Sequence, residues 1–494
     1  MRSIDRDDVR THFLGAEIAW QTDRVREATE HTRQAASVQT GDPDLACGIM
    51  DGLLQAGEYV LAREVLERPV LAQATSPQLL MRLAGYRQQL GEHPVALELL
   101  ERIREAGGDT PDSFYYRGQQ LIFNGRLQSA EAELESCLRA RPEHGRAAQV
   151  LSRLRRQTPE DNHLDRLKEG LGRVTPGTLD HAALEFALYK ELEDLGQWQE
   201  AWDALERGNG VMSRRNRVDV VRFGVFLEQL LARCTSNTSR TANENSGPQP
   251  IFVVGLPRSG STVLERMLGN HPDIAAAGEL QDFGKQLHWV ADTHNLFHTE
   301  FLRRLRDLDV DALGRRYLEQ TRWRAQGRPF FVDKQLANWM LLGLIRAALP
   351  RARILHMVRP PMDVCFSNWR AYFGDTHTYS YDRTNLAAYY QNYSRTMAGW
   401  HRAFPGEILD VSYSKLVESP GETIREVLEF CGIRHVPECA DISRSRLPVA
   451  TLSSAAVRNG LHAPASPGWL HYAAQLSDLR GALDRMESPE RAKA

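Results

Sequence analysis

Residues 251–272 read IFVVGLPRSGSTVLERMLGNHP, and their order decides how the C-terminal half of the chain folds. Residues 251–254 are a short apolar run of the kind buried in a sheet, Gly255 to Gly260 is a glycine-bounded turn, and residues 260–268 have helical spacing until Asn270-His271-Pro272 stops them. A buried strand that runs through such a turn into a helix directs several backbone N–H groups, and the positive end of the helix, at one point. That point suits a phosphate-like anion.

Outward from this segment the pattern stays α/β. Strand-like runs recur at 329–332, 353–358 and 407–411, separated by helical stretches at 338–349, 386–404 and 420–431. Such alternation predicts a mostly parallel sheet covered on both faces. Upstream, residues 235–250 (TSNTSRTANENSGPQP) lack large apolar side chains and read as a linker. The chain therefore divides into a helical part over 1–234, the linker over 235–250 and an α/β part over 251–494.

The helical part carries an internal repeat. Gly57, Gly91 and Gly125 recur every 34 residues, each followed five residues later by Ala62, Ala96 and Ala130, with Leu66, Leu100 and Leu134 in the same register. Ala84 and Gly118 add small residues at the preceding helix contact, Pro142 closes a unit, and Gly196, Ala201 and Leu205 form a degenerate copy. This period and these small residues resemble the tetratricopeptide repeat (TPR) and predict an all-α, TPR-like solenoid of stacked helix pairs.

A net charge of −3, from 61 basic and 64 acidic residues, gives no electrostatic footprint for nucleic acid. Six cysteines, at 47, 137, 234, 365, 431 and 439, have no metal-ligand spacing and read as reduced thiols, and no apolar run is long enough for a signal peptide or a membrane span. The expectation is a cytoplasmic protein with no nucleic-acid or membrane partner and no metal.

A Walker A loop would place lysine where this sequence has Ser261. The run Pro257-Arg258-Ser259-Gly260-Ser261-Thr262 instead resembles the 5′-phosphosulfate loop of sulfotransferases that use 3′-phosphoadenosine 5′-phosphosulfate (PAPS). RILHMVRPPMDVCFSNW, with Arg359 ending a strand and Ser367 in the next helix, is similar to the 3′-phosphate site of the same family. The resemblance spans about residues 250–475 and, with the repeats, points to TPR-containing sulfotransferases whose catalytic half is related to tyrosylprotein sulfotransferases.

The resemblance implies a P-loop-like sulfotransferase domain, PAPS as co-substrate and PAP as product, without metal. Arg258, Ser259, Gly260, Ser261, Thr262, Arg359 and Ser367 would hold the donor, with Tyr413, Ser453 and Arg458 as further nucleotide contacts. Glu279 in IAAAGELQDF matches the family's base, and Lys334 in FFVDKQLAN its lysine on the departing phosphate. Two departures stand out near the C-terminus: a usual glutamine near Ala456 is absent, and the usual Gly-Arg-Trp is reduced to Gly468-Trp469. Asp333 leaves open a metal-binding, kinase-like reading, and His271 and His356 are alternative bases. The acceptor would be a hydroxyl on a protein or peptide held by the repeats, on a small molecule or on a glycan. The repeats could instead serve a homodimer, and a non-catalytic scaffold is the third reading.

Overall fold

The computed structural model describes residues 9–235, 247–444 and 467–491, with side chains to residue 485. Five strands, β1 (Gln249–Gly255), β2 (Ile274–Ala276), β3 (Phe330–Asp333), β4 (Arg353–Val358) and β5 (Ile408–Ser412), form one sheet in the order β2-β3-β1-β4-β5. Every pairing is parallel. Both faces are covered: Ile251, Val253, Leu355 and Met357 pack on one side with Leu264 and Leu428, and Phe252, Val254 and Ile354 on the other with Phe283 and Trp339. The tips of β1 and β4 thus lie side by side at the centre of the sheet, with β3 and β2 to one side. β2 is three residues long, too short for its alternation to show in the sequence.

Helix pairs fill the N-terminal part. The pairs Pro43–Ala56 with Tyr59–Leu66, Pro77–Gln89 with His93–Glu105, Pro111–Phe123 with Leu127–Ala140, and Leu179–Asp194 with Trp198–Arg215 each turn at the glycine singled out by the repeat. Gly57, Gly91, Gly125 and Gly196 have φ of 74°, 78°, 82° and 73°, the left-handed region that a side chain resists. Ala62, Ala96, Ala130 and Ala201 are fully buried.

The two parts meet in two ways. Leu97 and the helices from residue 111 onward share one continuous apolar core with the sheet, in which Trp202 packs against Trp369 at 4.7 Å. The first helix pairs keep a separate core and dock through polar groups. Glu58, 1% exposed, accepts hydrogen bonds from Arg316, from Arg33 at 3.1 Å and from Gln320 at 3.3 Å. Gln286 donates to the Gly57 carbonyl and Arg324 to that of Leu90, each at 2.8 Å. A side chain on Gly57 would also meet Cβ of Lys285 at 2.6 Å, so this turn needs glycine twice over.

Candidate active site

The turn after β1 is held open by its neighbours. Gly255 has φ 145°, and a Cβ there would approach the Met357 carbonyl of β4 to 2.9 Å. Arg258 takes φ 68°, a strained value for a residue with a side chain. Its carbonyl accepts from Arg359 Nη1 at 2.9 Å, and Asn368 donates to the Pro257 carbonyl at 2.7 Å. Gly260 has φ 100°, and a Cβ on it would fall 2.1 Å from the Tyr413 ring. The helix Ser261–Gly269 follows at once, so its first N–H groups, which lack intrahelical acceptors, face the turn.

The residues expected at the two ends of a nucleotide are brought together. Arg258 Nε donates to Ser367 Oγ at 3.4 Å, and the Arg359 guanidinium lies 4.9 Å from the centre of the Tyr413 ring. Among the described residues, Ser259 Oγ and Arg359 Nε are buried without a hydrogen-bond partner, an arrangement that a bound oxyanion would relieve. Burial, followed by the nearby charges of Arg153, Arg370 and Arg359, lowers Arg258 to about 9. Crowded guanidinium groups that repel one another are stabilised by an anion. The cradle fits a ligand with several negative groups.

The other side of the cleft is neutralised from within. Lys334, at the tip of β3 and 1% exposed, points at Glu279 Oε1 at 2.7 Å and at Glu265 Oε2 at 3.7 Å. Burial pulls the Lys334 ammonium down, but the carboxylates of Glu265 and Glu279 outweigh it and raise it above the ordinary lysine value. The Lys334 N–H donates to the Gly278 carbonyl, and the Gly278 N–H donates to Glu265 Oε1, both at 2.9 Å. Glu265 therefore fixes the Gly278-Glu279 turn against the lysine, while the Glu279 side chain stays 47% exposed to the cleft. Sequence reasoning missed Glu265, although a carboxylate inside the apolar run VLERML was its signal.

Several alternatives are placed elsewhere. Asp333 turns into the core, accepting from Tyr317 Oη and from the Gln335 N–H, each at 2.9 Å. Burial raises its carboxyl to about 7. His271 closes its helix against the Arg434 carbonyl at 2.9 Å, and His356 lies within the sheet, bonded to Asp410 at 2.7 Å and to Tyr393. A cavity of about 230 Å³ beside Ser259 and Arg359 is lined by Tyr390, Tyr393 and His401. Trp400 is buried and donates to the Trp339 carbonyl at 3.0 Å, and Tyr389 stacks on Tyr379 at 3.6 Å, so these two pack in the core. Trp469 Nε1 donates to Asp363 at 3.0 Å. Ser453 and Arg458 lie outside the described residues.

Residues 250–438 match the family model described as the sulfotransferase family. An uncharacterized protein of Aquifex aeolicus is 27% identical over 324 residues, 63% of this chain and 43% of its own. A protein-tyrosine sulfotransferase of Drosophila melanogaster is 22% identical over 215 residues, covering 40% of this chain and 41% of its own. The chain thus spans less than half the length of these relatives. The sulfotransferase domain of the Synechococcus PCC 7002 olefin synthase matches 49% of this chain and 98% of its own at 19% identity, with a TM-score of 0.29.

Proposed function

We propose, from the premise that residues 250–438 form a sulfotransferase-family domain, that the protein transfers the sulfuryl group of PAPS to a hydroxyl acceptor. The observation that carries this reading is the contact of Arg258 with both Ser367 and Arg359, which joins the turn after β1 to the tip of β4. One adenosine bearing a 5′-phosphosulfate and a 3′-phosphate would span that junction. In this reading the N–H groups of the turn with Ser259, Gly260, Ser261 and Thr262 take the 5′ end, Arg359 and Ser367 take the 3′-phosphate, and Tyr413 lies beside the nucleotide.

The Lys334–Glu279 pair supports a sequence for the transfer. Donor binding draws the Lys334 ammonium from Glu279 toward the oxygen bridging phosphorus and sulfur. Glu279, released from its partner, accepts the acceptor's proton as the hydroxyl oxygen bonds to sulfur. The bond from sulfur to the bridging oxygen breaks in line, and PAP leaves with the electron pair, its new charge balanced by Lys334. The helix pairs with their glycine turns and buried alanines support a TPR-like array, a surface type that holds extended peptides. A peptide hydroxyl is the acceptor class this favours.

The test is turnover of PAPS by the full chain, followed as PAP release with tyrosine-containing peptides, simple phenols and glycans as acceptors. Acceptor-dependent PAP release is the expected result, largest with peptides. PAPS left intact with all three classes would count against the reading.

A further inference from the structure

Outside the arginine cradle, two imidazoles and a carboxylate converge on one point. His356 on β4 and Asp410 on β5 are register partners in adjacent parallel strands, so their side chains leave the same face of the sheet. The helix Arg383–Ala403 brings His401 to them in its last turn. His356 Nδ1 lies 2.7 Å and His401 Nε2 2.9 Å from the same carboxylate oxygen, Asp410 Oδ1. One atom from each of the three falls within 4.8 Å of the others, the only such grouping of three histidine, cysteine or acidic side chains among the described residues.

What a metal ion needs behind and around its ligands is also present. The second ring nitrogen of buried His356, Nε2, meets Tyr393 Oη, a contact that fixes the ring and, with the proton on Nε2, leaves the Nδ1 lone pair facing Asp410. Tyr393 is itself held edge-on against buried Trp339 at 5.2 Å. Donor atoms around a tetrahedral ion with bonds of about 2.0–2.1 Å sit about 3.4 Å apart. The Asp410 side chain, 55% exposed, has room to withdraw by the half-ångström or so this requires. All three residues line the cavity of about 230 Å³ that Ser259 and Arg359 also line, so a fourth coordination position opens onto free space. Two imidazoles with one carboxylate suit zinc and its neighbours, whereas Mg²⁺ and Ca²⁺ call for oxygen ligands throughout.

We propose that His356 Nδ1, His401 Nε2 and the Asp410 carboxylate form a binding site for one divalent transition ion of the zinc class, with water in the fourth position. The ion takes the place of the proton that each nitrogen shares with Asp410. No step of the sulfuryl transfer described above passes through this site, so it stands or falls apart from the donor reading.

Calorimetric titration of the untagged, metal-free full chain with Zn²⁺, and with Mg²⁺ as the control, tests it in wild type, H401A, D410N and Y393F. Wild type is expected to bind one Zn²⁺ per chain, far more tightly than Mg²⁺. H401A and D410N should each weaken Zn²⁺ binding by about 100-fold or more, and Y393F, which removes only the hydroxyl behind His356, by about tenfold. Metal-free melting temperatures close to wild type separate a lost ligand from a folding defect. The visible spectrum of wild type loaded with Co²⁺ reads the ligand set without any substitution, and strong absorption of a four- or five-coordinate ion is expected. Zn²⁺ binding retained in folded H401A or D410N, no Zn²⁺ binding by wild type, Mg²⁺ bound as tightly as Zn²⁺, or only the weak absorption of six-coordinate Co²⁺ overturns the assignment.

Discussion

The two sides of the cleft handle charge in opposite ways. At the tips of β1 and β4, Arg258 and Arg359 are crowded with Arg153 and Arg370, and burial and mutual repulsion depress Arg258 to about 9. At the tips of β2 and β3, Lys334 is sandwiched between Glu265 and Glu279 and held firmly charged. On the first side like charges crowd one another, and on the second the cation has carboxylates against it. On the proposed donor reading this contrast implies an order of events, in which the phosphates would settle the arginine side first and a competing negative charge would then draw Lys334 off Glu279.

That order can be broken at either end. Replacing Glu279 by Ala removes the proposed base and is expected to lower turnover by about 10² to 10⁴-fold while PAP binding stays within a few fold of wild type. A turnover assay beside a PAP titration checks this, and loss of both together would mean that the two sides are not separable. Arg359→Ala acts on the other side. It should weaken PAP binding by about 10- to 100-fold, the worth of a charge-assisted contact, with less effect on AMP. Equal loss for PAP and AMP would move Arg359 away from the 3′ end.

The smallest effect concerns stability. Asp333, next to Lys334 in sequence but turned into the core, is raised from the ordinary aspartate value of 3.8 to about 7 in the fold. Because the folded value lies above the unfolded one, its contribution is fully present below about pH 4 and is lost as pH rises through about 7. Asp333→Asn removes that titration. Its melting temperature relative to wild type should climb between pH 4 and pH 8 by a few degrees and then level off, reflecting at most about 4 kcal/mol. A difference that does not vary with pH would show that Asp333 is already ionised in the fold.

Much of this arrangement was legible in the sequence because it rests on local chemistry. The glycines at 57, 91, 125 and 196 announce left-handed turns, and Gly255 and Gly260 announce a turn crowded by neighbouring groups. The spacing of Arg359 and Ser367 follows from one strand end and the helix after it. What escaped was set by distant contacts: Glu265 matters through a turn 13 residues on. β2 escaped because three residues carry no period. The docking of the first helix pairs through Glu58 and Arg316 pairs residues 258 apart, which no local pattern reveals.

Thermal unfolding of the full chain with PAP, with ATP and with ATP plus Mg²⁺ addresses the arginine cradle as a whole, because a ligand that binds only the folded state raises the melting temperature. PAP is expected to give the largest rise, with Mg²⁺ adding nothing to the effect of ATP. A larger rise with ATP and Mg²⁺ than with PAP, or no rise with any of the three, would contradict a site built for adenosine phosphorylated at both ends.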